Sequence, residues 1–254
     1  MPEAYDRWLA PAVFRPFAVD LAERAARLRP SRVLEIAAGT GVLTSELVEA
    51  LPGAEVVATD LNGAMVEYGS GLVPGASWQQ ADALDLQFED DGFDLVVCQF
   101  GVMFFPDKPA GFREARRVLR PDGRLLFNTW ATIDTHGFAA ALQAGVEHVF
   151  PDDPPTFLVA VPHGYPDLQQ VAADLAAGGL ERVQFETVTL EGRAGSAGDI
   201  ANGFCTGTPL RMEVENCGDL AGSTAAISDE MTNLLGAGPI TAQMTAYVIE
   251  AMAA

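Results

Sequence analysis

The sequence predicts a doubly wound α/β fold around a mainly parallel sheet, and three observations predict it. Short apolar segments alternate with stretches of helical periodicity between residues 11 and 130. The first apolar segment runs straight into a glycine turn, Gly39-Thr40-Gly41, that opens a helix. Acidic residues, Asp60 and Asp82, end the next two predicted strands. Strands joined through helices need crossover connections, which give parallel pairing. A chain of 254 residues, 49% hydrophobic, can form one such domain over 1–254 and still carry insertions.

Phe14, Ala18, Leu21, Ala25 and Leu28 recur at spacings of three and four, predicting a helix over 11–29 that Pro30 ends. Residues 32–38 are short, apolar and β-branched, as a buried strand should be. A helix follows the glycine turn to about Leu51, with Leu43, Leu47 and Leu51 on one face. Strands are predicted at 54–60, 77–82, 93–100 and 123–130, and helices at 63–71 and 107–120. Arg120-Pro121-Asp122-Gly123 has the composition of a type I turn. Beyond it a helix is predicted over 135–149, then another over 167–179 with Pro166 in its first turn and Gly178-Gly179 as its stop. Residues 183–190 alternate as a strand, and 196–235 read as helical pieces cut at Gly203, Gly207 and Gly218. The Thr, Tyr, Val and Ile of 243–251 favour a strand there over a helix.

Chemistry concentrates at the first turn. Ala37, Ala38, Gly39 and Gly41 lack bulk, so a ligand can approach the backbone, and the following helix aims free N–H groups at the same crevice. Ligands of open α/β sheets lie at the carboxyl ends of the strands. Asp60, 19 positions after Gly41 (60 − 41), can accept two hydrogen bonds from a ribose diol. Asp82 can accept from an exocyclic amine at a purine edge. The dinucleotide spacing fails, because Thr44 stands where its third glycine would fall. Glu35, inside an apolar strand, requires a partner, either a backbone amide or a ligand.

Val33-Leu34-Glu35-Ile36-Ala37-Ala38-Gly39-Thr40-Gly41 resembles motif I of the class I methyltransferases that depend on S-adenosylmethionine (SAM). Ala58-Thr59-Asp60-Leu61-Asn62 and Ala81-Asp82-Ala83 resemble the ribose-binding and adenine-binding motifs that follow it. Phe93-Asp94-Leu95-Val96-Val97 and Arg116-Arg117-Val118-Leu119-Arg120-Pro121-Asp122-Gly123 resemble the signatures of strands 4 and 5. The similarity is to the branch that includes the ubiquinone and menaquinone C-methyltransferases, and it covers about 31–130, the SAM-binding core. Ala37 departs from the family's glycine, mildly, because the position asks for smallness. The resemblance implies a seven-stranded, mostly parallel, Rossmann-like sheet with its last strand, 243–251, inserted antiparallel beside strand 5. Segments 134–165 and 196–238 are then insertions that cap the substrate. It further implies SAM as cofactor. Ala37, Gly39 and Gly41 would line its methionine portion, and Glu35 would orient the turn or meet its ammonium. Asp60 would hold the ribose and Leu61 would flank the adenine. Asp82 and Ala83 would meet the adenine edge, and Gln99 would sit near the transferred methyl.

The expected reaction is methyl transfer to O, N or C of a small molecule. Phe138, Phe150, Phe157, Phe204, Leu210 and Met212 in the insertions point to an apolar or aromatic acceptor. His163, in Pro162-His163-Gly164-Tyr165, is the first candidate for a general base, and His136 the second, because imidazole titrates near neutrality. Two other readings stand beside this one: a SAM-fold enzyme using the cofactor as a non-methylating scaffold, and a nonenzymatic partner with a vestigial fold. A net charge of −20 argues against nucleic acid and anionic membranes as partners. The three His and three Cys residues lack metal-ligand spacing, so no metal is expected. The N-terminal MPEAYDRWLAP lacks the pattern of a signal peptide, and no apolar run spans a membrane, so the expectation is cytoplasmic.

Overall fold

The structure is a computed structural model, and it describes residues 1–253. Seven strands form one sheet: β1 (Arg32–Glu35), β2 (Glu55–Asp60), β3 (Ser77–Gln80), β4 (Phe93–Gln99), β5 (Leu119–Trp130), β6 (Leu180–Ala194) and β7 (Ile240–Ala253). Their order is β3-β2-β1-β4-β5-β7-β6. β1 lies parallel between β2 and β4, β3 is parallel to β2, and β5 to β4. The order therefore reverses between β1 and β4, the switch point at whose carboxyl edge ligands of such sheets bind. The sheet is mostly parallel and α/β in class, as expected. β7 takes the inner place beside β5, and an antiparallel bridge joins its Met244 to His136, just past β5.

Interleaved stretches of chain build two compact units. One holds 17–129, 165–188 and the stretch from Ala246; the other holds 1–16, 130–164 and 189–245. In the first, Val33, Leu34, Val96, Val97, Leu125, Leu126 and Phe127 are fully or almost fully buried, as strands covered on both faces require. The Arg15–Leu28 helix buries Phe17, Ala18, Leu21 and Ala25, the periodic face read from the sequence. In the second unit the Gly137–Val149, Ala197–Gly207 and Leu220–Leu235 helices bury Leu142, Val146, Ile200, Ile227 and Met231. Phe138 and Leu210 are wholly buried in this core and Met212 is 67% exposed.

Four local expectations are corrected. The N-terminal stretch is helical from Pro2, with a π-helical segment over Tyr5–Phe14 before the Arg15–Leu28 helix. Gly203 lies inside the Ala197–Gly207 helix instead of cutting it, because its missing side chain admits Leu9; a Cβ there would come within 2.6 Å of Leu9 Cδ2. Arg120–Gly123 belongs to β5, where a register irregularity opposite Phe93–Leu95 and a positive φ at Asp122 absorb the bend. Asp167, not Pro166, starts the Leu168–Ala177 helix, because its carboxylate accepts from the Gln169 and Gln170 N–H groups.

Candidate functional site

The turn after β1 is stitched to both neighbouring strands. Ile36 N–H donates to Val97 O, and Ala38 N–H donates to Thr59 O, each at 2.9 Å. Three of its residues adopt positive φ: Ala37 at 56°, Gly39 at 58° and Gly41 at 92°. The Ala37 position thus needs left-handed backbone as well as smallness, and alanine tolerates that less well than glycine. The space a Cβ would take at Gly39 is open, which is the clearance a ligand needs. At Gly41 the same Cβ would lie 3.1 Å from the Trp78 ring, so that glycine serves packing behind the turn.

Glu35 ends β1 almost wholly buried. The Thr44 hydroxyl donates to its carboxylate at 2.6 Å. Burial pushes the Glu35 carboxyl up to about 8; the Thr44 hydrogen bond opposes the shift and the nearby Asp60 charge adds to it. Asp60 ends β2, and its two oxygens accept from Gly39 N–H and Asn62 N–H, each at 2.8 Å. Burial raises its carboxyl as well, against those two hydrogen bonds. Two carboxyls held above their ordinary range at one turn are a site short of positive charge. A cation brought to them would draw both back toward the ionised form. The Thr40 hydroxyl is buried at the same turn with no hydrogen-bond partner among the described residues. The sulfonium and ammonium of SAM, with polar atoms for the Thr40 hydroxyl, fit these residues.

The other predicted binding residues lie around this turn. Leu61 is 66% exposed directly after Asp60, an apolar face presented to solvent. Gln80 Nε2 donates to Leu61 O at 2.8 Å and fixes that loop. Asp82 lies two residues past the end of β3 instead of ending it, in a tight turn where its carboxylate accepts from Leu84 N–H at 2.9 Å. Ala83 is half-buried beside it. Gln99 ends β4, half-buried, in register with Asn128 of β5. The contacts made by Thr44, Gln80 and Asn128 escaped the reading of the sequence. For Thr44 the signal was present, a hydroxyl one helical turn into the helix that follows a buried acid.

The two candidate bases, read as rivals, form one cluster in the second unit. His163 and His136 rings lie 5.5 Å apart at 88°, and the His136 ring lies 4.5 Å from Trp130. His163 Nδ1 donates to Ala131 O at 2.8 Å, which leaves Nε2 as the basic nitrogen of the neutral ring. His136 Nδ1 accepts from Ala139 N–H at 3.2 Å, capping the Gly137–Val149 helix, so its proton sits on Nε2. Burial lowers His136 to about 3, with a contribution from His163. Burial also lowers His163, against its bond to Ala131 and the Asp134 charge. Both rings are neutral at neutral pH. Among the described residues no helix is long and apolar enough to cross a membrane.

Sheet order, glycine turn and strand-end acids together define a SAM-dependent methyltransferase fold. Residues 33–123 match the family described as a methyltransferase domain. A demethylmenaquinone methyltransferase from Corynebacterium urealyticum is 34% identical over 168 residues, which is 62% of this chain and 71% of that protein. A ubiquinone/menaquinone biosynthesis C-methyltransferase from Idiomarina loihiensis is 30% identical over 177 residues, 63% of this chain and 70% of that one. A phosphoethanolamine-type N-methyltransferase from Haemonchus contortus, solved with S-adenosylhomocysteine, shares the fold at a TM-score of 0.63 with 14% identity. That match covers 99% of this chain and 57% of the other. The chain belongs to the class I SAM-dependent methyltransferases, in the branch of the ubiquinone and menaquinone C-methyltransferases. It is an enzyme with SAM as its cofactor.

Proposed function

We propose that the enzyme methylates a ring carbon of a small, apolar, quinone-type acceptor in its reduced, phenolic form. The observation that carries this reading is the 34% identity to a demethylmenaquinone methyltransferase across 71% of that protein. The apolar helical insertions, 134–165 and 196–238, are assigned to acceptor recognition.

Ala37, Gly39 and Gly41 bind the methionine portion of the cofactor, Glu35 its cationic end, Asp60 and Leu61 its ribose and adenine face. Asp82 and Ala83 take the adenine edge, and Gln99 the region of the methyl. The bound cofactor supplies an already activated methyl group. The chain's own work is therefore alignment, exclusion of water and proton transfer. Nε2 of His163 accepts the phenolic proton, and its Nδ1–H to the Ala131 carbonyl steadies the imidazolium that results. When bound, SAM would supply the methyl group and leave as the neutral thioether; the methylated ring carbon would release its own proton to solvent while Nε2 of His163 returns the phenolic proton to the oxygen, which restores the aromatic ring. His136, neutral and capping a helix, positions the pair.

The test is product analysis with SAM and a reduced demethylmenaquinone, a catechol or a primary amine. Gain of one methyl on a ring carbon of the quinol is expected. Exclusive methylation of the catechol oxygen or the amine, or turnover without mass gain, would replace this reading.

A further inference from the structure

Directly after Gln99, Phe100 adopts a φ of 52°, a left-handed conformation that a bulky residue holds only when its surroundings enforce it. Asn128 of β5 enforces it. Its side-chain Oδ1 accepts from Phe100 N–H at 2.9 Å, shorter than the 3.3 Å from that amide to Asn128's own backbone carbonyl. Asn128 is wholly buried, and its Nδ2 finds no acceptor among the described residues. The chain keeps a costly buried amide whose one satisfied atom holds this turn. On the other side the Phe100 ring meets Phe17 edge-on at 5.4 Å.

The next residue, Gly101, faces the cofactor turn. A Cβ built on it would lie 2.5 Å from Ala37 Cβ and 2.7 Å from Cys98 Sγ. Ala37 is itself left-handed. Two strained non-glycine residues thus bracket one closely packed glycine, in turns leaving adjacent strands. A side chain at Gly101 would have to displace the Ala37 methyl, so the bare glycine is what lets the two turns lie against each other.

We propose that the Gln99–Gly101 turn, latched by Asn128, is the template that holds Ala37 in the left-handed conformation that SAM binding requires, making Asn128 a positioning residue. This rests on the reading of the Glu35–Gly41 turn as the cofactor site.

The experiment is calorimetry of the full chain with S-adenosylhomocysteine, with folding checked by circular dichroism. Gly101→Ala should weaken binding about tenfold or more, a change of about 1.4 kcal/mol. Adding Ala37→Gly to it should recover most of the loss, because it removes the methyl that the new Cβ meets. Adding Cys98→Ala should not, although it relieves the second clash. Should Gly101→Ala fail to fold, the pair Asn128→Leu and Asn128→Asp decides. Leucine has the shape without the acceptor and should bind the ligand at least about tenfold more weakly, whereas aspartic acid keeps the acceptor and should stay within about threefold of the parent. Unchanged affinity in folded Gly101→Ala or Asn128→Leu, or rescue by Cys98→Ala instead of Ala37→Gly, would overturn the proposal. Asp60→Ala separates the two levels. If it leaves affinity unchanged, the cofactor-site reading fails; if it alone weakens binding, only the template fails.

Discussion

The Thr44 hydroxyl donates to the Glu35 carboxyl at 2.6 Å, and it does so from the position where a dinucleotide-binding turn would carry glycine. The residue that breaks one ligand's pattern therefore holds the acid proposed to meet another. It also leaves that acid poised, since its hydrogen bond only partly offsets the cost of burial.

Folding raises the Glu35 carboxyl from its ordinary value of 4.5 to about 8. The folded chain thus keeps a proton that the unfolded chain loses between those values. The associated stability is complete below the ordinary glutamate range and is lost as pH rises toward 8, with a slope approaching about 1.4 kcal/mol per pH unit. Urea unfolding of the ligand-free protein between about pH 5 and about pH 8 should show this decline, and Glu35→Gln should flatten it. Parallel profiles for the two proteins would refute the shift.

Asp60→Ala should weaken S-adenosylhomocysteine binding by about 1.5–3 kcal/mol, the range for hydrogen bonds to a charged group. Part of that loss comes through the turn, because the carboxylate also holds Gly39 N–H and Asn62 N–H. Asp60→Asn keeps one oxygen as an acceptor and should lose less. Calorimetry with NAD as a control should show no comparable binding; NAD binding tighter than SAM would reject the cofactor assignment.

His163→Gln should slow single-turnover methyl transfer about 10²–10⁴-fold at saturating SAM. Because burial holds His163 below its ordinary value, the parent should keep its rate through neutral pH and lose it only as acid protonates the ring. An unchanged rate and pH profile in the mutant would remove His163 as the base. His136→Asn, which retains a capping acceptor, should leave the pH profile in place.

Chelators should leave turnover unchanged. Among the described residues no three His, Cys, Asp or Glu side chains gather as metal ligands. Activity lost to a chelator and restored by one divalent ion would contradict this.

Phe204 and Met212, both read as acceptor contacts, should separate by stability. Phe204 is 6% exposed, so Phe204→Ala should cost about 3–5 kcal/mol. Met212 is largely exposed and Met212→Ala should stay within about 0.5 kcal/mol. Equal thermal shifts in the two variants would show that Phe204 does not anchor its unit.

The sheet was legible because its signals are local. An apolar run covered on both faces, a glycine turn and a strand-end acid each announce themselves within a few residues, and β1, β2 and β4 follow from them. The residues that hold the turn were not legible, because their partners are distant in sequence. Nothing near Asn128 indicates that its amide reaches Phe100, 28 positions back. Gly203 misled for the same reason: its neighbour Leu9 lies almost two hundred positions earlier, so a packing glycine looked like a helix breaker. The contact between His163 and His136 was not legible for the same reason, because it depends on tertiary packing.

The place of β7 has a consequence for how the chain matures. Of the seven strands of this sheet it is the last to be synthesised, yet its place is between β5 and β6, made more than a hundred and about fifty residues earlier respectively. Until it arrives, β5 carries an open backbone edge of N–H and C=O groups, a template for pairing with any extended segment. Late, long-range closure of this kind is slow and exposes nascent chains to misassembly. Yield of active protein should therefore depend on translation rate and chaperone supply more than the finished fold's stability would suggest.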